Sequence, residues 1–386
     1  MDAEQRTSLG ELAALFLRLG TTAFGGPAAH IAMMQDEVVN RRKWLSEERF
    51  LDLLGATNLI PGPNSTELAI HIGWQRRRWP GLLIAGLAFI LPAMLITSAC
   101  GWAYVRFGTL PAVGWLLYGV KPVVLAVVVQ AIWALTPKAA KTTALRLLSA
   151  AVLGLAALGV NELVLLFAAG MLAVLLAKIT DPSKSEGGRL HQLAPVLPVA
   201  IGAASASAIT LQGLFWVFFK IGSLLFGSGY VLLAFLRADL VQRLHWLSEA
   251  QLVDAIAVGQ VTPGPVFTAA TFIGYILAGA RGALVATAGI FLPAFIFVAL
   301  SGPLVPRLRA SKGAAAFLDG VNVASLALMA VVTAQLGRAA LVDLATVSLA
   351  IAATVLLVRF KLNSTWLVLG GALAGLLLHQ FGSAGD

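Results

Sequence analysis

The chain has 386 residues, of which 59% are hydrophobic and 12% charged, with a mean hydropathy of +0.88. Soluble domains carry about 25% charged residues, so this composition cannot cover a water-facing surface, and lipid must be the solvent. A soluble enzyme, a DNA-binding module and a disordered scaffold are excluded. The net charge of +9 would point to nucleic acid in a soluble protein. In a membrane chain it reflects Lys and Arg gathered in cytoplasmic loops, and no nucleic-acid partner is expected. The single cysteine, Cys100, excludes an internal disulfide. The five histidines are scattered and there is no GxxxxGK[ST], so no metal, cofactor or ATPase function is expected. The first 20 residues show neither a basic n-region nor a cleavage site, so no signal peptide is read.

The fold class is therefore all-α, a multi-pass membrane protein. In chain order, the segment 9–40 is apolar up to Phe24, is broken at Gly25-Gly26-Pro27, and continues as an amphipathic stretch containing His30. Its first part, 9–26, is expected to cross. The segment 48–76 is broken at Pro61-Gly62-Pro63. Clean apolar runs follow at about 80–104, 112–136, 146–160 and 162–178, near the length a bilayer requires. Residues 180–193 are rich in Gly, Ser and charge and read as a linker. The whole pattern then repeats. Trp44-Leu45-Ser46-Glu47 recurs as Trp246-Leu247-Ser248-Glu249, and Pro61-Gly62-Pro63 as Pro263-Gly264-Pro265, at an offset of 202. After a one-residue deletion Leu91-Pro92-Ala93 matches Leu292-Pro293-Ala294 at 201. The expected organisation is a first repeat over 1–180, a linker over 181–193 and a second repeat over 194–386, with clean runs at about 282–305, 313–337, 341–358 and 364–381.

Charge decides how 48–76 runs. If it crossed, Arg41, Arg42, Lys43 and Arg49 would lie opposite Arg76, Arg77 and Arg78, and the topogenic signal would cancel. If it enters, turns at Pro-Gly-Pro and returns, both clusters face the cytoplasm, as the positive-inside rule prefers. With 9–26 crossing, each half has five crossings and one re-entrant hairpin, and an odd number inverts the second half. A rival count adds 194–210 as a further crossing.

Inverted repeats with helices interrupted near the midplane characterise secondary transporters. Pro27, Pro63 and Pro265 sit where proline suits a helix start, and Gly227-Ser228-Gly229 supplies a fourth break. Helix starts carry free N–H groups and partial positive charge, so several of them converging make an anion site; the plain alternative is that the prolines only kink helices. Arg18 and its repeat mate Lys220 lie at matching depth and are expected to face each other across a pseudo-twofold axis, which suits a dianion; otherwise they snorkel to the interface. Lys121, beside Pro122, is a third cation. Asn64, Ser65, Thr66 and Thr268 could donate to oxyanion oxygens, or could simply join helices. Glu67 and His71 lie four apart on one face and are the candidates for proton coupling, with His30 a weaker one; alternatively Glu67 pairs with a cation such as Arg18. Asp52 and Asp254 are further weak candidates, and Ser46 and Ser248 read as helix caps.

Phe24-Gly25-Gly26-Pro27 with Ala29-His30-Ile31, then Pro61-Gly62-Pro63-Asn64-Ser65-Thr66, then Leu91-Pro92, resemble the chromate ion transporter family in its long, fused two-repeat form. The resemblance covers about 10–180 and 210–380. It implies a bacterial plasma-membrane carrier that exports chromate on the proton gradient or membrane potential, with sulfate as a look-alike anion. A homodimer is one assembly such a chain can form, and the sequence does not fix the oligomeric state. Val266-Phe267 stand where the first half has Asn64-Ser65, so the halves cannot contribute equally. Sulfate or other oxyanion uptake, and an anion channel, are the rival readings. An intramembrane enzyme lacks any Asp pair, Ser/His pairing or metal cluster.

Overall fold

The computed structural model describes residues 7–23, 26–108, 110–180, 209–225, 232–360, 362 and 364–382; the expected linker and the rival crossing at 194–210 fall largely outside them. Helix α1 (Leu9–Thr22) starts at a reciprocal cap. Glu11 N–H donates to Ser8 Oγ at 3.1 Å and Ser8 N–H donates to the Glu11 carboxylate at 2.8 Å. Helix α2 (Gly26–Gln35) continues into a π-helical turn, Asp36–Arg41. Leu12, Leu15, Phe16 and Leu19 of α1 pack with Met34 and Val38, so α2 folds back along α1. Helix α3 (Glu47–Thr57) starts at the Ser46 cap, and α4 (Asn64–Phe107) starts after Pro63 and breaks at Arg77 and Arg78.

Arg76, at the end of the first arm of α4, shows where these pieces meet. Its Nε donates to Thr7 Oγ1 at 2.8 Å and its Nη1 to the Trp44 carbonyl at 3.0 Å. The start of α1, the chain just before α3 and the end of the first arm of α4 therefore share one place. The segment 48–76 is the expected re-entrant hairpin. The segment 9–26 is corrected: it does not cross, but forms a second re-entrant hairpin with α2, so an odd count of five crossings per half is not what inverts the second half. Fourteen helical residues span about 21 Å, short of the ~30 Å hydrocarbon core, and the amphipathic continuation buries its apolar stripe against α1.

The second arm of α4 (79–107) is followed by α5 (Pro111–Ala139), α6 (Thr143–Ala157) and α7 (Glu162–Thr180). The second half supplies the counterparts: α8 (Leu211–Leu224), α9 (Leu232–Leu236) with a π-helical turn at Arg237–Arg243, and α10 (Glu249–Val261). A short 3-10 turn, Val266–Thr268, then leads into α11 (Ala269–Ala310), broken at Ala278 and Gly279. Helices α12 (Lys312–Ala340), α13 (Leu344–Phe360) and α14 (Ser364–Gly382) close the chain. Among the described residues five helices are long and apolar enough to cross a membrane: Asn64–Phe107, Val113–Pro137, Glu162–Ile179, Val266–Ser301 and Gly313–Ala340. The chain is a multi-pass, all-helical membrane protein.

Equivalent helices run in opposite directions. Tyr118 on α5 donates to Asp343 at 2.6 Å, and Lys141 beyond α5 reaches Asp319 of α12 at 3.0 Å. As one chain advances from 118 to 141, its partner retreats from 343 to 319. Helices α4 and α11 do the same: Gly86 faces Phe295 and Gly101 faces Tyr275. Equivalent spanning helices packed antiparallel require a twofold axis in the membrane plane, so the repeats are inverted. The halves also exchange partners. Gly119 of α5 lies against Gly371 and Gly375 of α14, and Gly320 of α12 lies against Ala169 and Ala173 of α7. Small residues at these crossings let backbones approach closely, which lipid-solvated helices need because no hydrophobic drive holds them together. The end carrying Lys43, Arg76, Arg77, Arg78 and Lys141 is rich in positive charge, the pattern the positive-inside rule associates with a cytoplasmic face.

Candidate functional site

The four broken segments meet at their tips. Gly62 N–H donates to the Leu225 carbonyl at 2.8 Å, and Gly264 N–H donates to the Ala23 carbonyl at 3.0 Å. Ala23 and Leu225 are the C-caps of α1 and α8. Each Pro-Gly-Pro tip thus bonds the end of the other half's first helix, and the two bonds are repeat equivalents. Both glycines hold positive φ, +143° at Gly62 and +89° at Gly264, a backbone that glycine adopts most readily. The expected donors at the tips are partly corrected here: the Gly62 and Gly264 N–H groups are spent on this interlock. Gly25, Gly227 and Ser228 lie outside the described residues.

The free donors sit one step further on. Pro63 and Pro265, preceded by Pro61 and Pro263, cap their helices without any side-chain acceptor. Ser8, Ser46, Thr210 and Ser248, by contrast, close other helix starts with their hydroxyls. The first-turn N–H groups after Pro63 are therefore the orphan donors that any uncapped helix start leaves. Gly26 and Pro27 open α2.

Side chains make the two starts unlike. After Pro63 come Ser65, Thr66 and Glu67, all buried, and His71 one turn later. His30 Nε2 lies 3.1 Å from the Ala23 carbonyl and its Nδ1 lies 3.3 Å from Ser65 Oγ. The carbonyl can only accept, so Nε2 carries the hydrogen and Ser65 donates to Nδ1. His30 thereby ties the interlock to the start of α4. Asn64 Nδ2 donates to Asn58 at 2.9 Å. Both Glu67 carboxyl oxygens, Thr66 Oγ1, Asn64 Oδ1 and His71 Nε2 are buried without a hydrogen-bond partner among the described residues. Buried polar atoms are nearly always paired, so five orphans within two helical turns mark a place that protons or water would complete, with Thr66 and His71 the two that can donate to an anion. The equivalent positions of the second half are Leu232, Val266, Phe267, Thr268, Ala269 and Ile273. The only hydroxyl among them, Thr268, turns back on the Pro265 carbonyl at 2.8 Å.

The cations are placed differently from the sequence expectation. Arg18 lies 2.6 Å from Glu37, which also meets Arg41 and Arg42, each at 3.3 Å. Lys220 donates to Asp239 at 2.7 Å, and Asp239 meets Arg243 at 3.0 Å. The two clusters are repeat equivalents, Glu37 with Asp239 and Arg41 with Arg243. Arg18 and Lys220 are each engaged by a carboxylate of their own half, on the π-helical turn, and the carboxylate Arg18 meets is Glu37 and not Glu67. Such turns add a residue per turn and are frequent at functional sites. Lys121 meets Asp254 of α10 at 3.1 Å, and Tyr104 donates to the same carboxylate at 2.9 Å. Lys121 also lines a narrow crevice with Leu233, Val253, Ile256 and Thr333. Sequence reasoning missed Glu37, Asp239 and Tyr104. The signal for the first two was present: an acidic residue followed four positions later by Arg, at the same place in both repeats.

The pattern of the family described as Chromate transporter matches residues 10–175 and 212–376. A chromate transport protein of Cupriavidus metallidurans is 36% identical over 378 residues, covering 96% of this chain and 94% of that protein. A chromate transport protein of Pseudomonas aeruginosa is 33% identical, covering 96% and 92%. A probable chromate transport protein of Synechococcus elongatus is 32% identical, covering 96% and 95%. No solved structure matches. The paired breaks, the inverted halves and these matches along nearly the whole chain agree: the protein belongs to the chromate transporter family.

Proposed function

We propose that the chain exports chromate across the bacterial plasma membrane by secondary active transport, with Glu67 carrying the coupled proton. The observation that carries this reading is the start of α4, which no side chain caps, beside Glu67, whose carboxyl oxygens are buried without a hydrogen-bond partner among the described residues. Helix-start N–H groups and their dipole suit a tetrahedral oxyanion. An unpaired carboxylate in a dry site is costly, so a negative substrate and an ionised Glu67 exclude each other. Chromate therefore binds when Glu67 holds its proton, so the two travel together with net negative charge, and a membrane potential negative inside drives them outward. His71, one turn along the same face, is the neighbour that relays the proton, and His30 holds the site in register. Arg18 and Lys220, on opposite sides of the tips, gather anions at the two mouths. Sulfate has the same shape and charge and competes.

Everted vesicles given radiolabelled chromate in the external medium test this. Uptake that follows an imposed proton gradient or potential, falls with added sulfate, and loses its pH dependence in Glu67→Gln at matched expression is the expected result. No uptake under either gradient would refute efflux. Current through planar bilayers without proton coupling would make the protein a channel. An unchanged pH profile in Glu67→Gln would remove Glu67 as the carrier.

A further inference from the structure

The two re-entrant arms that lead to the Pro-Gly-Pro tips, α3 and α10, are repeat equivalents, yet they sit in different surroundings. Residues 252–257 of α10 are buried throughout. Val253 is 5% exposed, whereas its counterpart Leu51 on α3 is 52% exposed. The Asp254 side chain is 4% exposed and that of Asp52 45%. Asp254 is held from the other half, by Lys121 of α5 and Tyr104 of the second arm of α4. Nearer the tip, Thr97 of the same arm meets Thr262 at 3.5 Å. Asp52 lies 3.7 Å from Arg49 on its own helix. The first turn of α3 also exposes Glu47, Glu48 and Arg49. Four charged side chains within the first six residues of α3 cannot rest against acyl chains, so this end of the helix meets water. The arm opens from the cytoplasmic end, and α10 opens from the opposite end.

We infer that Asp254, Lys121 and Tyr104 form a latch that seals the outer side. The transporter reaches its other state when α10 leaves the latch and α3 takes the equivalent place against α12, bringing Asp52 to Asn322. An inverted repeat makes this exchange nearly isoenergetic in packing, because each half holds the conformation the other will adopt. The exchange is not symmetric in charge. Lys121 faces Asp254, while its counterpart facing Asp52 is the neutral Asn322. Only the outer closure gains a buried cross-half ion pair, and the resting state is therefore open to the cytoplasm, where a substrate bound for export is collected. The inference rests on the chain being a transporter and is independent of Glu67, since its readout is accessibility rather than flux.

The test uses single cysteines at Leu51→Cys and Val253→Cys in a Cys100→Ser background. Membrane-impermeant maleimide is applied to intact cells and to everted vesicles. The expected result is that Leu51→Cys reacts from the cytoplasmic face and Val253→Cys is protected from both. Adding Asp254→Asn or Lys121→Met should raise labelling of Val253→Cys from outside by about tenfold and lower that of Leu51→Cys, as a shift of one two-state equilibrium demands. The charge-swapped pair, Asp254→Lys with Lys121→Asp, should return both rates toward the parent. If a single variant fails to purify as a homogeneous species, Tyr104→Phe, which removes one hydrogen bond only, should move both rates in the same directions by less. Val253→Cys labelled as freely as Leu51→Cys in the parent would overturn the inference. So would unchanged rates in every latch variant, or a swapped pair that stays open.

Discussion

Gly264→Ala is the sharpest probe of the interlock between the tips. At φ +89° an L side chain is strained by about 1–2 kcal/mol. The new Cβ would sit 2.7 Å from the Ala93 Cβ, against an ordinary carbon contact of roughly 3.5–4.0 Å. Relieving that overlap pushes the tip off α4 by about 1 Å, an overpacking cost of about 1–3 kcal/mol. The same movement stretches the bond from Gly264 N–H to the Ala23 carbonyl, worth about 1 kcal/mol. Together these reach about 3–6 kcal/mol, enough to separate the halves at the site while the outer helices stay folded. Gly279→Ala is the control. Gly279 also has positive φ, +61°, but nothing lies within 4 Å of its would-be Cβ, so only the strain of about 1–2 kcal/mol applies. The assay is chromate uptake into everted vesicles at matched expression, with the melting midpoint in detergent measured alongside. Gly264→Ala should lose uptake and melt clearly below Gly279→Ala, which should retain most of its uptake. Equal behaviour of the two variants would refute the interlock as the centre of the transporter.

Arg18→Ala should cost about 0–1 kcal/mol, because Arg18 is half exposed and Glu37 keeps Arg41 and Arg42. Lys220→Ala should cost more, up to about 3 kcal/mol, since it partly uncovers the buried Asp239, which retains Arg243. Detergent melting curves rank the pair, and chromate resistance should fall for both without vanishing. His30→Phe keeps the ring against Phe89 but removes the link between Ala23 and Ser65. It should cost about 1–2 kcal/mol and weaken chromate competition for uptake, measured as a raised KM. Arg78 holds φ +48° where its repeat equivalent is Gly279. Arg78→Gly should therefore raise stability by about 1 kcal/mol, less any loss of its contact with Trp74, read as a higher melting midpoint with unchanged uptake.

The duplication was legible because Trp-Leu-Ser-Glu and Pro-Gly-Pro are improbable among generic apolar helices. The re-entrant course of 48–76 was legible because arginines flank both of its ends, and only a returning path puts them on one side. The same argument was available for 9–41, but its apolar run up to Phe24 imitated a crossing. The fact against it was length, since the break at Ala23 leaves α1 too short to span. Pairings were legible only where both partners lay close in sequence or recurred at the repeat offset. Arg41 with Glu37 and Arg243 with Asp239 satisfy that condition. His30 with Ser65, Lys121 with Asp254 and Gly62 with Leu225 join residues brought near only by the meeting of helices, and no local pattern encodes them.

The division of polar residues between the halves has a physical reason. A twofold axis passing between the tips places equivalent side chains close to one another. An ionisable group repeated in both halves near that axis would set like charges side by side in a low dielectric, where each opposes the ionisation of the other. Fusion of the repeats removes the need for identity. Glu67, His71 and His30 are kept in the first half, with Ala269, Ile273 and Leu232 opposite, and Thr97 and Thr262 are kept where the other copies are Val298 and Ile60. Of the charges that do repeat, Arg18 with Glu37 and Lys220 with Asp239 each carry their own counter-ion within one half. Symmetry is retained where the backbone needs it, at the interlocked glycines, and abandoned where charge would penalise it.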